Sequence, residues 1–149
     1  MNGIGIHQIS VHTPQSRVWE FVRDLNAWAH LVPGYIEHTI LSVSQSVWKF
    51  NAHYGVVKKK VHVQVEITEW MEPVQVKFKL KGVNQTLTGE GYFKAEKISN
   101  TTTDMTGYLK IQSTSVLAGF LESLFDKMIH NLTKELTEAV ADAIQRNNK

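Results

Sequence analysis

The chain has no cysteine, and that absence excludes disulfides, thiol chemistry and every cysteine-ligated metal site. Proline is nearly as scarce, standing only at Pro14, Pro33 and Pro73, and no Pro/Gly/Ser-rich linker divides the 149 residues. One domain over residues 1–149 is expected, since a chain of about 150 residues can bury roughly 70% of its unfolded surface. No stretch approaches the roughly 18 apolar residues that span a bilayer. Met1 to Ser10 lacks the basic start and apolar run of a signal peptide, so a soluble, cytoplasmic protein is expected. The net charge of +2 is too small to imply a nucleic-acid partner.

Hydrophobic periodicity is abundant. Ile4 to His12 reads as a strand whose alternation slips between Ile4/Ile6 and Ile9/Val11, as a bulge would cause. Thr13-Pro14 reads as an N-cap with proline at the first helical position. Val18, Phe21, Val22 and Leu25 place a short helix over Pro14–Leu25, and Asn26 is expected to cap a second short turn carrying Trp28 and Leu31. From Tyr35 to Gln112 the period is two. Trp48, Phe50, Ala52 and Tyr54 alternate with polar residues, as do Val61, Val63, Val65 and Ile67, and then Val74, Val76, Phe78 and Leu80. Leu87 to Ala95 and Met105 to Ile111 complete about six antiparallel strands, each with one buried face. Turns are expected at Tyr54-Gly55, Glu72-Pro73, Gly82-Val83-Asn84 and Ser99-Asn100. Helical spacing returns over Leu117 to Ile144, about 45 Å at 1.5 Å per residue. Strands with helices segregated to one side indicate an α+β fold, a curved antiparallel sheet of about seven strands around a long C-terminal helix.

This order resembles the START-like (SRPBCC) helix-grip superfamily, and most closely the CoxG-like family of carbon monoxide dehydrogenase accessory proteins. The residues that carry the likeness are Pro14, Val18-Trp19-Glu20-Phe21 and Asp24, then Leu31-Val32-Pro33-Gly34, Tyr54-Gly55-Val56-Val57-Lys58, and Leu117-Ala118-Gly119-Phe120. The resemblance implies a START/Bet v 1-like fold that holds a lipid, quinone or polyketide-like molecule between sheet and helix. It also implies an accessory role beside a redox enzyme. Some relatives carry a membrane-anchoring tail, whereas this chain ends at Arg146-Asn147-Asn148-Lys149.

Candidate chemistry is sparse. The seven histidines show no His-Glu-x-x-His spacing and no local pairing with carboxylates, so no metal and no cofactor are expected. No serine stands in a Gly-x-Ser-x-Gly elbow. A cyclase-like acid/base enzyme is the alternative, with Tyr54 and His30 as its proton-transfer groups, and a protein-interaction module with a filled core is a third reading. Gly89, Gly91 and Gly107 fall on inward parity, where a missing side chain leaves room for a ligand or for close approach of another element. Lys49, Lys58, Lys60, Lys77, Lys79, Lys81, Lys94 and Lys110 occupy the outward parity, a solvated face or a surface for weak contact with an anionic membrane or a protein partner. The expected function is non-catalytic binding of a small hydrophobic molecule. The expected lining is Trp28, Leu31, Phe50, Tyr54, Val63, Phe78, Gly91, Phe93, Leu109, Phe120, Leu124 and Met128.

Overall fold

Seven alternating segments pair into a single antiparallel sheet in a computed structural model of the protein, which describes residues 2–54, 57–83, 87–114 and 118–147, with side chains undescribed at 54, 57, 118–122 and 147. The strands are β1 (Asn2–Val11), β2 (Tyr35–Ile40), β3 (Gln45–Tyr54), β4 (Val57–Met71), β5 (Gln75–Gly82), β6 (Leu87–Lys97) and β7 (Thr103–Ser113). Their order is β1-β7-β6-β5-β4-β3-β2, a meander from β2 to β7 with β1 added beside β7. The curved sheet and its long helix α3 (Ala118–Asn147) form the helix-grip architecture. The expected turns at Tyr54-Gly55 and Gly82-Val83-Asn84 run into residues 55–56 and 84–86, outside the described residues.

The expected bulge in β1 is absent. β1 pairs with β7 residue for residue, from Asn2↔Gln112 to Val11↔Thr103. Its inner face carries Gly3, Gly5, His7, Ile9 and Val11, while Ile4 and Ile6 stand outside at 48% and 54% exposure. The apolar alternation breaks because α3 lies so close that only glycine fits. A Cβ on Gly3 would meet Ile129 at 2.7 Å, and one on Gly5 would collide with Thr133.

The helical connection also departs in detail from expectation. Helix α1 (Gln15–Val22) has Pro14 at its N-cap without a side-chain bond. Thr13 is buried instead, and its carbonyl accepts from the Thr103 hydroxyl at 2.7 Å. Helix α2 (Leu25–Trp28) is capped by Asp24, whose carboxylate accepts from the Asn26 N–H, and a 3-10 turn over Ala29–Leu31 follows. Gly34 closes this connection at φ +77°, where a Cβ would strike the Asn51 carbonyl, so glycine is required there.

Two register shifts aim side chains inward. One lies between Tyr35 and Glu37 and sets Tyr35 opposite Phe50 and His38 opposite Trp48, on one face. The other lies between Ile67 and Glu69 and sets Trp70 opposite Val76. Trp70 then meets Trp19 edge to face, with ring centroids 6.0 Å apart. One packed cluster fills the end under α1, where Val11, Val18, Trp19, Met105 and Val140 meet. Two smaller clusters, around Trp48/Val63 and around Phe125/Ile129, stand farther along the sheet.

Candidate functional site

Between those clusters the inner sheet face and α3 enclose a cavity of about 460 Å³, within the usual range for small-molecule sites. Its position follows from the glycines. Gly3, Gly5 and Gly107 let α3 settle against β1 and β7, whereas β4 and β5 present large side chains and stand apart from it. Trp48, Phe50, Val61, Val63, Phe78 and Leu80 form the sheet wall, Phe125, Met128, Ile129, Leu132 and Leu136 the roof, and Leu25, Trp28 and Val32 one side. An aromatic ladder stiffens that side. Trp28 stacks on Trp48 with centroids 5.8 Å apart, and Trp48 stacks on His38 at 5.0 Å.

Most polar atoms of the interior are spent within the protein. The Trp28 indole donates to the Val22 carbonyl at 2.8 Å and the Trp48 indole to the Ser46 hydroxyl at 2.8 Å. The hydroxyls of Thr133 and Thr137 donate back to the carbonyls of Ile129 and Thr133, at 2.8 and 2.7 Å. Asn51, His53, Asn131 and Glu135 also line the space, and the last three are exposed at its rim. Tyr92 and Tyr108 touch it too, but they alternate with inward Gly91, Phe93, Gly107 and Leu109 and stack on each other at 5.0 Å on the other face.

Of the residues expected to line a site, Trp28, Phe50, Val63, Phe78, Phe93, Leu109 and Met128 surround the cavity. Leu31 does not. It packs against the filled core under α1. Leu124 lies beyond the roof, 41% exposed. Gly91 faces inward but frees no space, because the Phe78 ring covers it, 2.6 Å from where a Cβ would sit, and the Tyr108 carbonyl is closer still. Gly89 and Gly107 are crowded in the same way, by Ile111 and by Thr137. The side chains of Tyr54 and Phe120 lie outside the described residues. His30 is exposed and absent from the lining.

Sequence reasoning missed Ser46, Trp48 and Trp70. Trp48 shares the parity of Phe50 and could have been named from it, and Ser46 precedes it by two. Trp70 could not, because the shift between Ile67 and Glu69 leaves no mark in the alternation. Among the described residues no group of three His, Asp or Glu side chains could hold a metal ion, and no helix is long and apolar enough to cross a membrane. The outward lysines are partly neutralised by acids on the same sheet, in the pairs Lys49–Glu37, Lys77–Glu69 and Lys94–Glu96.

Among curated proteins none matches the chain by sequence. Solved structures do match by shape. A conserved protein from Geobacillus kaustophilus superposes with a TM-score of 0.81 at 17% identity, covering 99% of this chain and 97% of its own. The Zhui aromatase/cyclase from Streptomyces sp. R1128 gives 0.76 at 12% identity, covering 100% and 97%. A START superfamily protein from Mycobacterium smegmatis gives 0.68 at 16%, covering 97% and 95%. At such identities the likeness shows the fold. One protein-family model, described as "-like:-like", matches residues 1–147. The chain belongs to the family defined by that nearly full-length match, and its fold is the START-like helix grip.

Proposed function

We propose that the protein binds and carries a small hydrophobic molecule in the cavity between sheet and α3, without transforming it. The observation that carries this reading is an apolar cavity of about 460 Å³ whose titratable lining groups, among the described residues, stand at the rim or on the far sheet face. Aliphatic and aromatic walls supply affinity through area removed from water, about 25 cal/mol per Å². Proton transfer to a ligand held in the interior would need an acid or base within hydrogen-bond reach. His53 and Glu135 are exposed instead. The cyclase reading, which the name of the Streptomyces protein keeps in view, finds no such group among the described side chains. An interaction module with a filled core is disfavoured by the cavity itself.

A CoxG-type accessory role beside a redox enzyme, a lipid or quinone as cargo, a cytoplasmic location and weak contacts through the lysine face belong to the same proposal. The test is native mass spectrometry of the purified protein. A co-purified apolar molecule, released on denaturation, is the expected result. A bare protein mass, with no uptake of an added apolar probe, would remove the binding reading.

A further inference from the structure

We infer that Ser46 is the polar recognition point of the cavity interior, and that the ligand is an apolar molecule carrying a carbonyl-type hydrogen-bond acceptor at its leading end. The inference rests on the binding reading above and adds the ligand's chemistry. Ser46 lines the cavity and is only 2% exposed. Its oxygen accepts the Trp48 indole N–H at 2.8 Å. A serine hydroxyl both accepts and donates, yet among the described residues the Ser46 hydrogen has no acceptor. The other inward side-chain donors of the cavity wall, on Trp28, Trp48, Thr133 and Thr137, are each spent within the protein, and the buried Thr13 hydroxyl, which also lacks a partner, does not line the cavity. Ser46 therefore holds the one uncommitted hydroxyl hydrogen among those inward wall donors.

The position of Ser46 gives the ligand a polarity. It pairs with Ile40 and Val65 near the start of β3, while Ala52 lines the cavity six residues farther along the same face of that strand, and Asn51 and His53 fall on the opposite parity. At about 3.3 Å per residue these two ends of the inward face are roughly 20 Å apart. The wall between them carries Trp48, Phe50, Val61 and Val63. A molecule rich in internal hydroxyls would lose its bonds to water along this wall without replacement, which is costly. A ketone, ester or quinone carbonyl at the leading end of an apolar body meets the Ser46 hydrogen and leaves nothing unpaired. The indole bond fixes the Ser46 oxygen before the ligand arrives, so little ordering is left to do on binding.

The test compares 2-acetylnaphthalene with 2-ethylnaphthalene, nearly isosteric and differing in the carbonyl, by calorimetric titration of the full chain. Both are expected to bind the wild type. Ser46→Ala should weaken the ketone by about three- to tenfold and leave the hydrocarbon unchanged. Ser46→Thr, which keeps a hydroxyl, should restore the ketone. Equal losses for both probes, or none, would overturn the role of Ser46 while leaving the cavity reading intact. If 2-ethylnaphthalene fails to bind the wild type, the binding reading falls and this inference with it. Should Ser46→Ala not fold, the wild type alone decides through the infrared carbonyl stretch of bound 2-acetylnaphthalene. A frequency below that in hexane supports the bond, and an unshifted one overturns it.

Discussion

The Thr133 hydroxyl of α3 stands where the first side-chain carbon of residue 5 on β1 would have to be. Helix and edge strand are thus in backbone-level contact at Gly5, and the hydroxyl is itself held to the Ile129 carbonyl. Gly5→Ala should lower stability by about 1–3 kcal/mol, the usual cost of overpacking, read as a lower urea midpoint at unchanged slope. An unchanged midpoint would mean that α3 is free to lift off β1.

Gly91→Leu should destabilise for a related reason. The Phe78 ring already fills the place of the missing side chain. The two positions are directly opposed in the β5–β6 ladder. In a double-mutant cycle, adding Phe78→Ala should recover part of the loss, because neighbours that compete for one space are not additive. Strict additivity would show that the ring moves aside at no cost.

The Tyr35 hydroxyl shares a hydrogen bond with Nδ1 of His38 at 2.7 Å, while Nε2 of His38 faces the Asn26 side-chain oxygen at 2.8 Å. His38 thereby ties α2 to the edge strand β2 and stacks on Trp48. Tyr35→Phe should cost about 0.5–1.5 kcal/mol in chemical denaturation. His38→Ala should cost more and alter the tryptophan emission, since it removes both tethers and the stacked ring. Equal effects of the two substitutions would argue against the tether.

Chelators should leave both Tm and probe binding unchanged. The described residues offer no cluster of three ligating side chains. Stoichiometric zinc or iron in elemental analysis, removable with loss of binding, would contradict this.

The element order, the one-sided strands and the long α3 were all legible in the sequence, because period-2 and period-3.6 patterns report burial of a face and a face is a local property. The inward parity of Phe50, Val63 and Phe78 was legible for the same reason. Three features were decided only by the tertiary structure. The glycines of β6 and β7 read equally as open space or close contact, and whether Phe78 or Thr137 fills that space depends on elements distant in sequence. The register shifts at Tyr35/Glu37 and Ile67/Glu69 turn His38 and Trp70 inward, against the parity that alternation alone would assign. The uncommitted hydrogen of Ser46 emerges only when the partners of every neighbouring donor are known. Periodicity determines which face of an element is buried. What meets that face, and how closely, is set by packing between elements that no local pattern encodes.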